Sequence, residues 1–182
     1  MVEINKVLIA NRGEGARRIA DTILKMGMLP IVVFTSDDRK SLHVLERQES
    51  ENIEDYKDIG GAIKAAKASG AKLIIPGWGF ASEDPNFPKA CREAELKFAG
   101  PNERSMREAG DKANANKIAE KLEIPVIESI SGNGQNIRDF AVDLGLSDDP
   151  DSAPVMIKAT RAGGGNRKQA CYQTKRFRLN IR

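Results

Sequence analysis

Apolar positions along this chain follow two alternating rhythms. Lys6-Val7-Leu8-Ile9-Ala10 is a short continuous apolar run, the pattern of a parallel strand buried on both faces. Asn11-Arg12-Gly13 breaks it. Ala16, Ile19, Ala20, Ile23, Leu24 and Met28 then recur at helical spacing, which predicts a helix reaching Met28. Pro30–Phe34 predicts the next strand, closed by the turn formers Ser36-Asp37-Asp38. A short helix is expected over Ser41–Arg47 and a strand or connector over Glu51–Ile53. Asp58–Ser69 predicts a helix with Ile59, Ile63 and Ala66 inward, ended by Gly70 as a left-handed cap. Lys72–Ile75 predicts a strand, Pro76–Phe80 a loop, Asn86–Ala94 a helix and Lys97–Ala99 a last strand before Gly100-Pro101.

Strands and helices alternating at this spacing define an α/β fold, built of βαβ units around a mainly parallel sheet. Ligands of such sheets gather beyond the carboxyl ends of the strands. Three loops fall there: Asn11–Glu14, Ser36–Arg39 and Pro76–Glu83. A boundary in Gly100–Glu108 gives a first domain over 1–108, a second over 109–165, and a tail over 166–182. In the second domain the pattern predicts a helix over Asp111–Leu122 and a strand near Pro125–Ile127. A polar segment follows at Ser131–Asn136, then a helix over Ile137–Leu144, an acidic turn at Ser147–Ser152 and a strand over Val155–Lys158.

Charge changes the picture only when it is divided. All 26 acidic residues precede residue 152, and the last 17 residues hold six basic side chains and no acid. The net +3 therefore belongs to the tail, and the rest of the chain carries no basic surface signal. No apolar run approaches the roughly 18 residues of a membrane helix, and the start runs straight into a strand without a cleavable signal. Cys91 and Cys171 stand too far apart in sequence to form a metal or redox motif. A cytoplasmic setting, or an organellar matrix, is expected.

Several segments carry candidate chemistry. Val155-Met156-Ile157-Lys158 leads into a loop containing Gly163, Gly164 and Gly165. Glycines let backbone N–H groups approach phosphate oxygens, and a strand-end lysine adds a fixed positive charge. The lysine precedes the glycines, so this is no P-loop; a lysine snorkelling at a strand end before a flexible turn also fits. Asp111 suits a helix cap, and Lys112 in the first turn is either a surface lysine or a sign of a nearby anion. The loop after the first strand lacks the Gly-x-Gly-x-x-Gly of dinucleotide binding, which disfavours a nicotinamide-dependent dehydrogenase. Arg12 is placed to pair with a carboxylate of a neighbouring loop. Glu14 suits a helix amino terminus, and His43, the only histidine, a structural hydrogen bond. Pro76–Glu83, with two glycines and two aromatics, is either a packed loop or a wall of an active-site cleft.

Taken in order, Val7–Glu14, Ser36–Val44, Pro76–Glu83, Phe98–Pro101, Gly110–Lys112 and Val155–Ala159 resemble biotin carboxylases over about residues 4–165. The wording at Gly77-Trp78-Gly79 and Val155–Lys158 is most similar to the large acetyl-CoA carboxylases, and propionyl-CoA and pyruvate carboxylases share the same module. The resemblance implies a Rossmann-like preATP-grasp domain followed by an incomplete ATP-grasp domain. It implies ATP with magnesium as cofactor, bicarbonate activated as carboxyphosphate, and biotin on a carrier protein as acceptor. Lys112, Lys158 and Gly163–Gly165 are then the ATP-binding residues. Carboxyl-carrier and carboxyltransferase components are the implied partners, with a homodimer contact on the first helix; neither membrane nor nucleic acid is expected.

The departures shape the expectation. The family's loop usually runs through four glycines, a basic residue and another glycine, whereas this chain has Gly165-Asn166-Arg167-Lys168. The family's magnesium-binding glutamates, bicarbonate and biotin groups and catalytic base all come later, so no catalytic or metal residue is assigned and the chain alone is expected to be inactive. Gly15 stands where a larger apolar residue is common, and Asp21 and Lys25 where the family often has the opposite charges. A non-catalytic preATP-grasp module is the alternative function. The tail is expected to lie outside the family fold, as out-of-frame sequence; its competing reading is a basic arm, with Tyr172 and Phe177, for nucleic acid or an acidic partner.

Overall fold

The structure is a computed structural model that describes residues 3–127, 129, 134–145, 147, 155–158 and 168–171. It divides into two compact units, 1–107 and 108–182.

In the first unit the strands are β1 (Lys6–Ile9), β2 (Leu29–Phe34), β3 (Glu49–Asn52), β4 (Leu73–Ile75) and β5 (Lys97–Phe98). They form one sheet in the order β3-β2-β1-β4-β5, and every neighbouring pair is parallel. Val7 lies beside Pro30 on one side and Leu73 on the other. The helices are α1 (Gly13–Lys25), α2 (Leu42–Leu45), α3 (Ile59–Ser69), α4 (Asn86–Glu93) and α5 (Glu103–Gly110), the last crossing the boundary between units. Because side chains alternate across a strand, β1 and β2 feed two cores. Val7, Ile9 and Val32 pack with Ala16, Ala20 and Ile23 of α1. Leu8, Ile31, Val33 and Ile74 pack on the opposite face with Ala62, Ala65 and Ala66 of α3 and Phe87 and Cys91 of α4. Each fully buried aliphatic side chain stabilises the fold by about 1.5–3 kcal/mol.

The α/β fold with a mainly parallel sheet is thus present. Two details differ from the sequence pattern. Helix α1 stops at Lys25 rather than Met28, because Gly27 takes a left-handed φ of 77° and the Met28 N–H donates to the Ile23 carbonyl at 3.1 Å. Met28 still packs on the core, which explains its place in the apolar period. Helix α5 was not expected; Asn102 starts it, its Oδ1 accepting from the Ser105 N–H at 2.8 Å. Helix α3 faces inward as expected: Ala66 is buried with Ala62 and Ala65, and Ile59 and Ile63 pack partly covered against the same core.

The second unit contains α6 (Lys112–Lys121), α7 (Gly134–Asp143), β6 (Val155–Lys158) and β7 (Lys168–Cys171). Strands β6 and β7 pair antiparallel, with Lys158 opposite Lys168. Strand β7 lies in the tail, where no strand was expected. The predicted strand at Pro125–Ile127 is absent: Pro125 has no N–H to give a ladder, and Ile127 is 90% exposed. The acidic turn expected at 147–152 lies outside the described residues apart from Ser147.

Candidate functional site

From β1 the chain steps one way to β2 and β3, and then the other way to β4 and β5. The direction reverses between β1 and β4, and the crevice beyond their carboxyl ends is the place where open α/β sheets bind ligands. Asn11 and Arg12 follow β1 there, and Pro76, Gly77 and Trp78 follow β4.

Buried Asn11 ties the two loops together. Its Nδ2 donates to the carbonyls of Pro76 at 2.7 Å and Trp78 at 2.9 Å, while its Oδ1 accepts from the Arg12 N–H at 2.8 Å. All three polar bonds of this amide are therefore used inside the protein. Gly77 sits in the left-handed region at φ 65°, and a Cβ there would come within 2.8 Å of Asn11 Nδ2; only glycine fits both the turn and the contact.

A second network lies beside it. Arg12 donates to Asp38 Oδ1 at 2.6 Å, Ser41 Oγ donates to the same oxygen at 3.1 Å, and the Tyr56 hydroxyl donates to Asp38 Oδ2 at 2.9 Å. Burial pushes the Asp38 carboxyl up, but the bonds from Tyr56 and Ser41 and the Arg12 charge outweigh it and the net direction is down. Tyr56 moves up, first through burial and then through its bond to Asp38. The Arg12 guanidinium lies 5.6 Å from the Tyr56 ring centroid, within cation–π range, and its side chain is 49% exposed. Phe80, at a positive φ of 50°, rests its ring 5.2 Å from that of Tyr56. Such a backbone persists only where its surroundings hold it. The result is a fixed floor from which Arg12, Phe80 and Trp78, the last 61% exposed, face outward.

The pairing expected of Arg12 and the structural role expected of His43 are both present. His43 is buried, with Nε2 3.3 Å from the Val33 carbonyl. Asn11 and Tyr56 were not singled out in the sequence. Asn11 sits in a quoted motif, but Tyr56 stands in a connector whose place in the fold no pattern fixes. Asp21, one of the charge departures on the first helix, accepts from Arg47 at 2.8 Å within the chain.

The residues assigned to ATP belong to the second unit. Lys112 opens α6, which Asp111 caps as expected, its Oδ1 accepting from the N–H groups of Ala113 at 3.0 Å and Asn114 at 3.1 Å. Lys158 closes β6. Gly163, Gly164 and Gly165 lie outside the described residues, as do the side chains of Lys112 and Lys158. Among the described residues no three His, Cys, Asp or Glu side chains cluster as a metal site, and no helix is long and apolar enough to cross a membrane.

Comparison with known proteins extends this picture. The chain is 36% identical over 187 residues to the mitochondrial methylcrotonoyl-CoA carboxylase subunit alpha of Rattus norvegicus, covering 98% of this chain and 25% of that protein. It is 36% identical to the biotin carboxylase of Nostoc sp., covering 90% and 37%. The chain thus spans between a quarter and two fifths of these relatives, and the rat match runs past residue 165, where the resemblance was expected to stop. Biotin carboxylase from Campylobacter jejuni, solved as a βγ-ATP complex, superposes with a TM-score of 0.85 at 32% identity, over 95% of this chain and 39% of that one. The biotin carboxylase domain dimer of Hydrogenobacter thermophilus 2-oxoglutarate carboxylase, solved with MgADP, ADP and bicarbonate, gives 0.88 at 25% identity over 97% and 39%. Residues 3–106 match the family described as biotin carboxylase, N-terminal domain, and the chain belongs to that family.

Proposed function

We propose that this chain forms the preATP-grasp domain, residues 1–108, and the opening of the ATP-grasp domain, residues 109–165, of an ATP-dependent ligase that carboxylates carrier-bound biotin with bicarbonate. The carrying observation is the likeness over 95% of the chain to a biotin carboxylase solved as a βγ-ATP complex. Lys158, at the end of β6, and Lys112, at the start of α6, are assigned to the nucleotide, and Gly163, Gly164 and Gly165 to its phosphates. In this reading the lysine charges and glycine backbone N–H groups act by holding negative charge where phosphoryl transfer develops it. Magnesium enters with the nucleotide and is assigned no ligand among the described residues. The partners are a biotin carboxyl carrier and a carboxyltransferase. The matched relatives are named for methylcrotonoyl-CoA, pyruvate and urea, so the proposal names no acceptor.

Calorimetry with MgATP tests the assignment. The expected result is saturable heat for the chain and a loss of tenfold or more in affinity, about 1.4 kcal/mol, in Lys158→Ala and in Lys112→Ala. Equal affinity in all three proteins would refute it. Residues 1–182 alone are proposed not to turn ATP over, because transfer requires the nucleotide to be enclosed and every reacting group positioned. ADP release that depends on added biotin and bicarbonate would overturn that part. A second reading, a non-catalytic module acting through contacts with other carboxylase parts, draws support from the two cores of the first unit, whose described residues all come from that unit. It predicts no saturable heat.

A further inference from the structure

We propose that Gly15 is the positioning residue for Trp78: its missing Cβ is the seat on which the indole at the carboxyl ends of β1 and β4 rests. Gly15 is buried in the first turn of α1, and it is not among the residues of positive φ. Its backbone is one any residue adopts. Glycine inside a helix is disfavoured relative to alanine, so the reason for it lies in what packs against it. A Cβ at position 15 would lie 2.8 Å from Cη2, 2.9 Å from Cζ2 and 3.4 Å from Cζ3 of Trp78. The first two distances are shorter than any stable carbon–carbon contact, so the indole edge lies flush on the bare helix surface.

The base of Trp78 is fixed by other means. Its carbonyl accepts from Asn11, and the glycines on either side hold φ angles of 65° and 72°. With the backbone pinned, only two side-chain torsions remain, and the contact with Gly15 sets them. The atoms that a Cβ would strike belong to the free end of a side chain, not to backbone. The ring, rather than the helix, must give way. Any larger side chain at position 15 therefore turns the indole off α1. The seat itself does not rest on the proposed function.

Trp78 is the only tryptophan of the chain, so intrinsic fluorescence reports on this ring alone. Gly15→Ala is expected to shift the emission maximum to the red and to steepen acrylamide quenching. Gly110→Ala, where a Cβ meets nothing within 4 Å, should leave both unchanged. Thermal melts give a second reading that holds even if Gly15→Ala folds poorly. In a Trp78→Ala background the same change should raise Tm, since alanine is the better helix former and the ring is gone, and in the native background it should raise Tm less or lower it. Emission and quenching identical to the native chain in a folded Gly15→Ala protein would overturn the proposal. So would an equal effect on Tm in both backgrounds. Neither outcome depends on whether the chain binds ATP.

Discussion

At the scale of single residues, the site owes its rigidity to buried polar groups, and two buried polar side chains carry a pH dependence. Burial holds the His43 imidazole below its ordinary value, and the Val33 carbonyl offsets this only in part. The folded chain therefore binds this proton less readily than the unfolded chain. Stability is at its full value above the unfolded pKa of about 6.5 and declines as pH falls through it. Asp38, held below the usual carboxylate range, works the same way but in a lower window, its contribution being lost only below about pH 4. Urea midpoints measured between about pH 7.5 and 5.5 should fall for the native chain and stay flatter for His43→Leu. Parallel pH profiles would show that His43 is not the titrating group. This histidine was legible in the sequence as a structural residue because it has no partner for a metal site or a triad. Its depressed pKa was not legible, since it depends on which carbonyl and how much apolar surface the fold brings to it.

At the scale of elements, legibility followed the locality of the signal. Gly70 ends α3 in the left-handed region, and Asp111 caps α6, as the sequence indicates, because each cap is made by a few consecutive residues. Asp111→Ala removes the acceptor of two N–H groups, and its expected cost is about 1 kcal/mol. The check is amide exchange: the Ala113 and Asn114 N–H groups should exchange faster while Ile74 in β4, which pairs in the separate sheet, keeps its rate. Unaltered exchange at both helix amides would remove the capping claim. Signals split between distant segments were harder to see. Pro125–Ile127 has the composition of a strand but gains no ladder, and strand β7 forms from Lys168–Cys171, residues with no alternation of their own. The Asn11–Pro76 and Tyr56–Asp38 bonds join positions 65 and 18 apart, which no local period encodes. Loop positions at the strand ends could be read from the βαβ rhythm; the bonds that make them one site could not.

At the scale of the whole molecule, the division into units makes a prediction about folding that separates architecture from ligand binding. Both cores of the first unit draw their members from Ile4 to Phe98, and the sheet closes with β5 at Phe98. Asn11, Asp38 and Tyr56 find their described partners within the same span. Among the described residues, nothing that builds this sheet or its loop floor comes from beyond residue 107. A fragment of residues 1–107 should therefore unfold in urea as one cooperative transition, with a stability of about 5–15 kcal/mol as for ordinary domains. Its Trp78 emission should match that of the full chain, because Gly15 and Asn11, which set the ring, are both present. MgATP should leave its melting temperature unchanged, since Lys112 and Lys158 are absent and a ligand stabilises only the state it binds. A broad, non-cooperative transition would mean that the second unit completes the first. A shift in Tm with MgATP would move nucleotide binding onto the crevice between β1 and β4 and off the two lysines. The two measurements are independent, so a folded fragment blind to MgATP would place the scaffold in the first 107 residues and the nucleotide contacts after them.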